Sequence, residues 1–185
     1  INKYVLRRTK EILFNNEFTD YEIVNHQCEF NTKREQDIYE AIQRDAVKEL
    51  LDTEDDNKFQ LLLIELILRL RQASIHPSIA IKSIKRKFPD RDWDTKLSFD
   101  EISTKIHEIT KKIKESSGLS LVFCHFQEEM ELIKHQLSKN GVYSELYNGS
   151  HSISKREQII NKFSPENAKT KLIIVDGKLV KISSK

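Results

Sequence analysis

The chain has 185 residues, of which 38% are hydrophobic and 32% charged, enough for one substantial domain or two small ones with a heavily solvated surface. Only 4 glycines and 3 prolines favour helices and regular connections over a turn-rich all-β fold. The 31 basic and 29 acidic residues nearly balance, so any nucleic-acid surface must come from local clustering of charge.

The cysteines and the hydropathy of the chain indicate its cellular compartment. Cys28 and Cys124 form no CxxC pattern, and we expect both to be reduced, buried thiols in an intracellular protein. Nuclear, viral and cytoplasmic locations fit equally well. The most apolar run, residues 61–70, is about half a membrane span and contains Glu65 and Arg69, so we expect no membrane association. The chain begins at Ile1 without a methionine, so its true N-terminus is expected to lie upstream.

The first elements are a predicted strand and two predicted helices. Residues 21–30 alternate in hydrophobicity as a strand does. Thr32 and Glu35 form a capping box that begins a helix. A second helix, over residues 58–73, is apolar nearly all round, which predicts burial between other elements.

The middle of the chain reads as a linker followed by a further helix. The second helix ends where Pro77 disfavours helical geometry at the residue before it. Residues 81–98 mix basic and acidic residues without a clean period, and we interpret them as a linker. Their basic run is partly cancelled by nearby aspartates, so a solvated linker is the default reading. A stripe of isoleucines spaced as on one helix face follows, before Gly118. The stripe is Ile102, Ile106, Ile109 and Ile113, and the basic run is Lys82, Lys85, Arg86 and Lys87.

The last third alternates strand, helix, strand, helix, strand. Residues 119–124 form a continuous apolar run, as in a strand covered on both faces. A helix burying Met130, Ile133 and Leu137 follows, then a strand over 142–147, a helix capped by Ser154, and a strand over 171–175. Strands separated by helices predict a parallel sheet with right-handed crossovers.

No catalytic chemistry is visible in the sequence. The four glycines are isolated, so no loop can cradle a triphosphate. Asp176 ends the apolar run 172–175 and is interpreted as an ordinary strand-end residue. The six histidines show no zinc spacing, and the sequence contains no recognisable nucleophile motif around either cysteine.

Two loops after the predicted strands could hold nucleic-acid phosphates without reading bases. The first, "FCHFQ", offers His125 and Gln127, and the second, "NGSHSISKR", offers Ser150, Ser152 and Arg156. Each residue taken alone is better interpreted as a helix cap or a solvated side chain. Because parallel strands end at the same edge of a sheet, the two loops together favour phosphate binding.

Several segments, in this order, resemble the Swi/Snf family of superfamily-two helicase-like ATPases. "YVLRRTKEIL" resembles the family's basic element near the end of the first motor lobe. "REQDIYEAI" and "LILRLRQASIHPSI" resemble two helical signatures, and "STKIHEI" the entry into the second lobe. "SLVFCHFQEEMELIKHQL" and "YSELYNGSHSISKREQIINKF" resemble motif IV and the block after it.

The resemblance implies a fold class and a domain division. The fold would be α/β: a partial RecA-like parallel sheet with flanking helices over 99–175, preceded by a mainly helical segment. Residues 1–80 would be a helical accessory segment at the end of lobe one, 81–98 the linker, and 99–185 an incomplete C-terminal lobe. The family's phosphate loop and metal site would lie upstream, and its arginine-finger motif is not recognisable here, so the chain looks like a middle fragment.

The resemblance also implies a function. The chain would be part of an ATP-driven translocase on double-stranded DNA, whose parent uses ATP and Mg²⁺ and whose first motor lobe is the missing partner. The expected DNA-backbone contacts are His125, Gln127, Asn148, Gly149, Ser150 and Arg156, with Arg7, Arg8 and Lys10 as further basic contacts. Two alternatives stay open: a non-catalytic DNA- or protein-binding module derived from such a lobe, and an unrelated small α/β enzyme.

Overall fold

The computed structural model describes residues 22–90, 98–116, 118–163 and 172–176. This part of the chain is mainly helical and contains six helices and three short strands. In chain order they are α1 (Lys33–Leu51), α2 (Asp56–Ile75), α3 (Pro77–Lys87), α4 (Thr104–Glu115), β1 (Ser120–Cys124), α5 (Gln127–Lys139), β2 (Glu145–Tyr147), α6 (Ile153–Lys162) and β3 (Leu172–Asp176). None of the described helices combines the length and apolar character needed to cross a membrane.

The three N-terminal helices begin and end at the signals in the sequence. Thr32 caps α1 by accepting a hydrogen bond from the Glu35 amide at 3.2 Å, as predicted. Asp55 caps α2. His76 leaves helical geometry (φ −161°, ψ 122°) before Pro77, which is the first residue of α3. α1, α2 and α3 pack around a small core of Ile42, Ala73 and Ala80.

Three predictions for the N-terminal half are wrong. Residues 22–30 form no strand, because alternation supports a strand only beside a partner, and no described strand pairs with them. Cys28, in that exposed segment, is not buried. The predicted linker 81–98 begins too early, since its first seven residues continue α3. The division into domains itself stays a prediction.

Helix α2 is not buried all round, contrary to the prediction. Leu66 and Ala73 are buried on the side facing α1 and α3. The opposite side carries Leu61, Ile64 and Ile67, which are 69%, 66% and 52% exposed. Among the described residues, neighbouring helices therefore cover only one side of the apolar helix α2.

The strands form a parallel sheet in the order β1–β3–β2. α5 packs against it through Met130, Ile133 and Leu137, each 1% exposed or less, as the sequence predicted. β1 is not covered on both faces, because Phe123 is 65% exposed and Leu121 is exposed with it. A flanking layer lies against one face of β1 in the described chain.

Two smaller corrections concern element boundaries. β2 is limited to residues 145–147, shorter than the predicted 142–147. The cap of α6 is Ser152, whose hydroxyl accepts from the Lys155 amide at 3.2 Å, and not Ser154. Ser154 is already the second residue of α6, so the predicted cap is two residues late.

A buried carboxylate joins the helical half to the sheet half. Glu35, fully buried, accepts hydrogen bonds from the Thr104 amide at 3.1 and 3.2 Å and from the Thr104 hydroxyl at 2.7 Å. It therefore caps α4, 69 residues away, instead of completing the predicted capping box of its own helix. The negative charge lies at the positive end of the α4 dipole, which stabilises it there.

A buried histidine makes a second connection at the same joint. The Glu101 carbonyl can only accept, so His76 Nε2 donates to it (3.1 Å), and His76 Nδ1 accepts from Ser78. Burial lowers the pKa of His76 below its usual 6.5, although the Glu101 carbonyl opposes this by favouring the protonated ring. The ring also packs edge-on against Phe99.

Candidate functional site

The two loops of interest open at one edge of the sheet. Cys124, at the end of β1, pairs with Asp176, and Tyr147, at the end of β2, pairs with Val175. The strands run parallel, so both loops leave at their carboxyl ends, where α/β folds bind ligands. However, β3 lies between β1 and β2, so the two loops flank the end of β3 and do not follow adjacent strands.

Side chains of both loops line one surface groove of about 710 Å³. Gln127 is the first residue of α5, and Asn148 and Ser150 follow β2. Ser78 and Lys82 of α3 line the same groove. The structure thus brings three of the predicted contacts together and adds two residues from the helical half. The remaining lining residues are Glu128, Met130, Glu131, Leu132, His135 and Leu146.

Three other predicted contacts, in the two loops and on α6, do not line the groove. His125 and Gly149 are exposed in the two loops, and Arg156 is half-buried on α6. A Cβ added at Gly149 would meet no atom within 4 Å, so the fold does not require glycine there. Arg7, Arg8 and Lys10 lie outside the described residues.

The loop after β2 is held by its own side chains. Asn148 Oδ1 accepts hydrogen bonds from the Ser150 amide at 3.1 Å and the Ser150 hydroxyl at 2.7 Å. The Ser150 hydroxyl proton is therefore already used within the loop. Because this pattern fixes the oxygen, the Nδ2 hydrogens are the ones that Asn148 can donate to a ligand.

Arg156 anchors the same loop from α6. Its Nε donates to the His151 carbonyl at 3.0 Å, which leaves the two terminal guanidinium nitrogens as further donors. His151 Nδ1 is buried without a hydrogen-bond partner within the described chain. Arg156 therefore has a positioning contact to the loop and a positive charge beside it.

The amides that follow β1 are already occupied. The His125 and Phe126 amides donate to Glu129 Oε2 at 2.9 and 3.4 Å. Glu129 is buried in the first turn of α5 and uses the positive end of that helix. A phosphate at this loop would have to rely on side-chain donors, not on these two amides.

The charge of the groove is mixed. Lys82 is its positive residue, whereas Glu128 and Glu131 are negative. Arg86 lies 3.6 Å from Glu128 and offsets part of that charge. No group of three or more metal-ligating side chains occurs within the ranges that the structure describes.

Lys82 begins the basic run that the sequence predicted to lie in the linker. In the structure this run lies on helix α3, beside α5, and not in a loop. Ser78, just after Pro77, carried no sequence signal of its own. Placing either residue at the groove requires the packing of α3 against the sheet half, which local patterns do not contain.

The described fold is similar to solved structures of Swi2/Snf2 ATPases. The Sulfolobus solfataricus SWI2/SNF2 ATPase C-terminal domain matches with TM-score 0.58 and 16% identity, covering 83% of this chain and 63% of its own. The ATPase core of the same organism matches with TM-score 0.63 and 18% identity, covering 91% and 32%. The core in complex with double-stranded DNA matches with TM-score 0.58 and 16% identity, covering 80% and 29%.

These similarities establish the fold. The chain has the architecture found in the C-terminal region of Swi2/Snf2 ATPases, in agreement with the resemblance of its motifs. It spans less than two thirds of the length of each of these three structures. No family model matches the sequence, and no curated protein does.

Proposed function

We propose that this chain is part of an ATP-driven, Swi/Snf-type motor that moves along double-stranded DNA, and that its two strand-end loops contact the DNA backbone. The observation that carries the proposal is the convergence of Gln127, Asn148 and Ser150 on one groove at the carboxyl edge of the sheet. The fold supports it, since similar architecture occurs in the Sulfolobus ATPase core that was solved with double-stranded DNA.

The donors in and beside the groove suit phosphate oxygens. Gln127 and Asn148 offer side-chain amides, Lys82 an ammonium group, and Arg156 a guanidinium group beside the loop. Contacts of this kind do not read bases, as a motor that moves along any sequence requires. In the parent, ATP and Mg²⁺ would bind with the help of a first motor lobe; no described residue of this chain is assigned to hydrolysis.

Replacing Asn148 by aspartate is the sharpest test of the DNA contact. Asn148→Asp keeps the oxygen that holds Ser150 but replaces both Nδ2 hydrogens with negative charge. We expect binding to a short DNA duplex, measured by fluorescence anisotropy, to weaken about tenfold or more. Asn57→Asp makes the same change at an exposed position on α2 and should leave affinity within about twofold. Equal affinities for the two variants would contradict the proposal.

The salt dependence of binding tests Arg156. If Arg156 neutralises one phosphate, Arg156→Ala should reduce the slope of log affinity against log salt by about one. Arg44→Ala removes the same charge from exposed α1 and should leave the slope unchanged. A slope that falls equally in both variants would reflect net charge alone.

ATP turnover separates the chain from its parent. We expect the purified 185-residue chain to show no DNA-stimulated phosphate release. Adding a first lobe that carries a phosphate loop should be necessary for turnover. Measurable turnover by the chain alone would contradict this part of the proposal.

The second candidate function is a non-catalytic binding module. The acidic Glu128 and Glu131 in the groove, with Glu129 occupying the loop amides, favour a protein partner with basic side chains over a phosphate. In that case Glu131→Gln would abolish binding to the partner, whereas Asn148→Asp would leave it intact. The translocase reading predicts the opposite ranking for DNA.

A further inference from the structure

The outer side of α2 is an apolar surface without a neighbour among the described residues. We call it the open face and define it by Leu61, Ile64, Ile67 and Leu68, all exposed. A contiguous apolar patch on a folded domain marks an interaction site far more often than scattered exposed residues do. Its position on α2 is separate from the groove, and no groove residue belongs to this helix.

The open face has the spacing of a helix–helix seam. Leu61, Ile64 and Leu68 are separated by three and four residues, which places them in one line along the helix. No charged residue lies between Lys58 and Glu65, and Glu65 pairs with Arg69 and Lys87 on another side of the helix. The face therefore fits a second amphipathic helix.

The charges at the two ends of the open face indicate which amphipathic helix would bind there. Arg71 is exposed at one end and forms no ion pair within the described chain, while Glu54, Asp55 and Asp56 are exposed at the other end. Arg71 and Asp56 lie seven and eight residues from Ile64, about 10–12 Å in opposite directions along the helix. The open face is thus complementary to itself when two copies run antiparallel.

We propose that this chain forms a two-fold symmetric homodimer through the open face of α2. Ile64 lies near the symmetry axis, and Leu61 of one copy packs beside Ile67 and Leu68 of the other. Arg71 of each copy lies beside the acidic end of the other, so each pairing occurs twice. A parallel arrangement would instead place like charges together.

Sedimentation equilibrium of the full chain, between about 1 and 100 µM, tests the dimer. We expect the apparent mass to rise to that of two chains with increasing concentration. Ile64→Lys should keep the monomer mass throughout that range, since two lysines would meet at the axis. Ile153→Lys changes a residue of similar exposure, 72% against 66%, on helix α6, and should dimerise normally.

Charge reversal tests the antiparallel arrangement. Arg71→Glu and Asp56→Lys should each weaken the dimer about five- to tenfold, because each affected pair occurs twice. The double variant restores the pair with reversed signs and should recover affinity to within about twofold. Circular dichroism of each variant checks that the helices are intact.

Three outcomes would overturn the proposal. A monomer at every concentration would mean that other chain segments or partners cover the open face. A dimer that survives Ile64→Lys would lie on another surface. A double variant no tighter than the single ones would exclude the antiparallel pairing. None of these results bears on DNA binding, because the groove residues are unchanged.

Discussion

Helices α2 and α5 both carry apolar residues, but those of α5 are buried whereas those on the outer side of α2 are exposed. All three apolar residues that the sequence assigns to the buried stripe of α5 are 1% exposed or less, with β1, β2 and α4 around them. The longer and more apolar α2 buries Leu66 and Ala73 but leaves its outer side open. The number of apolar residues in a helix therefore does not decide its burial; the elements packed around it do.

The same substitution in the two helices should give very different losses of stability. Leu137→Ala in α5 leaves a cavity in a fully buried core and should lower the free energy of unfolding by about 3 kcal/mol. Leu61→Ala in α2 removes an exposed side chain and should cost less than about 0.5 kcal/mol. Urea unfolding at low protein concentration measures both. Similar losses would mean that the open face is covered within one chain.

The joint between the helical half and the sheet half should be sensitive to one carboxylate. Glu35→Ala leaves the Thr104 amide and hydroxyl buried without their partner, at a cost of about 2–3 kcal/mol. Glu49→Ala removes an exposed carboxylate from the same helix and should change stability by less than about 0.5 kcal/mol. If the two halves unfold separately, Glu35→Ala will split the urea transition in two.

Acidification should also loosen this joint, through His76. Burial lowers the pKa of His76, so the unfolded chain binds its proton more readily than the folded chain does. The stability that depends on the neutral ring is fully present above pH 6.5 and is lost as the pH falls from 6.5 through the lower folded pKa. Urea midpoints at pH 7.5 and 5.5 measure the loss, and His76→Gln should show less of it. An equal pH dependence in the variant would assign the effect to other groups.

The smallest expected difference in stability is between alanine substitutions at two glycines of the sheet half. Gly141, after α5, has φ +72°, so Gly141→Ala should cost about 1 kcal/mol. Gly149 has open space for a Cβ, so Gly149→Ala should leave thermal stability unchanged within about 0.5 kcal/mol. A DNA affinity lowered by Gly149→Ala alone would then report close approach of a ligand to the loop.

Local sequence patterns predicted the secondary structure better than they predicted strand pairing and helix packing. The stripe of α5 and the cap of α1 follow from spacing and side-chain chemistry within a few residues, and both are confirmed. The strand predicted over 21–30 was wrong because pairing depends on a partner that the pattern does not contain. The exposure of α2 was missed for the same reason.

The candidate site shows the same limit. Gln127, Asn148 and Ser150 were predicted from the position of their loops after strands, and the structure brings them to one groove. Lys82 and Ser78 join them only because α3 packs near α5, and Glu129 takes the loop amides through a contact specific to this helix. These features depend on tertiary structure, so sequence spacing could not supply them.

The order of the strands also constrains how the molecule is made. Among the described strands, β3 comes last in sequence and is the one that pairs with both others, whereas β1 and β2 do not pair with each other. During synthesis the sheet therefore cannot close until Asp176 has left the ribosome, some fifty residues after β1 has appeared. Until then β1 and β2 of the nascent chain lack their pairing partner. During this interval we expect a chaperone that binds unpaired strands to protect the chain most.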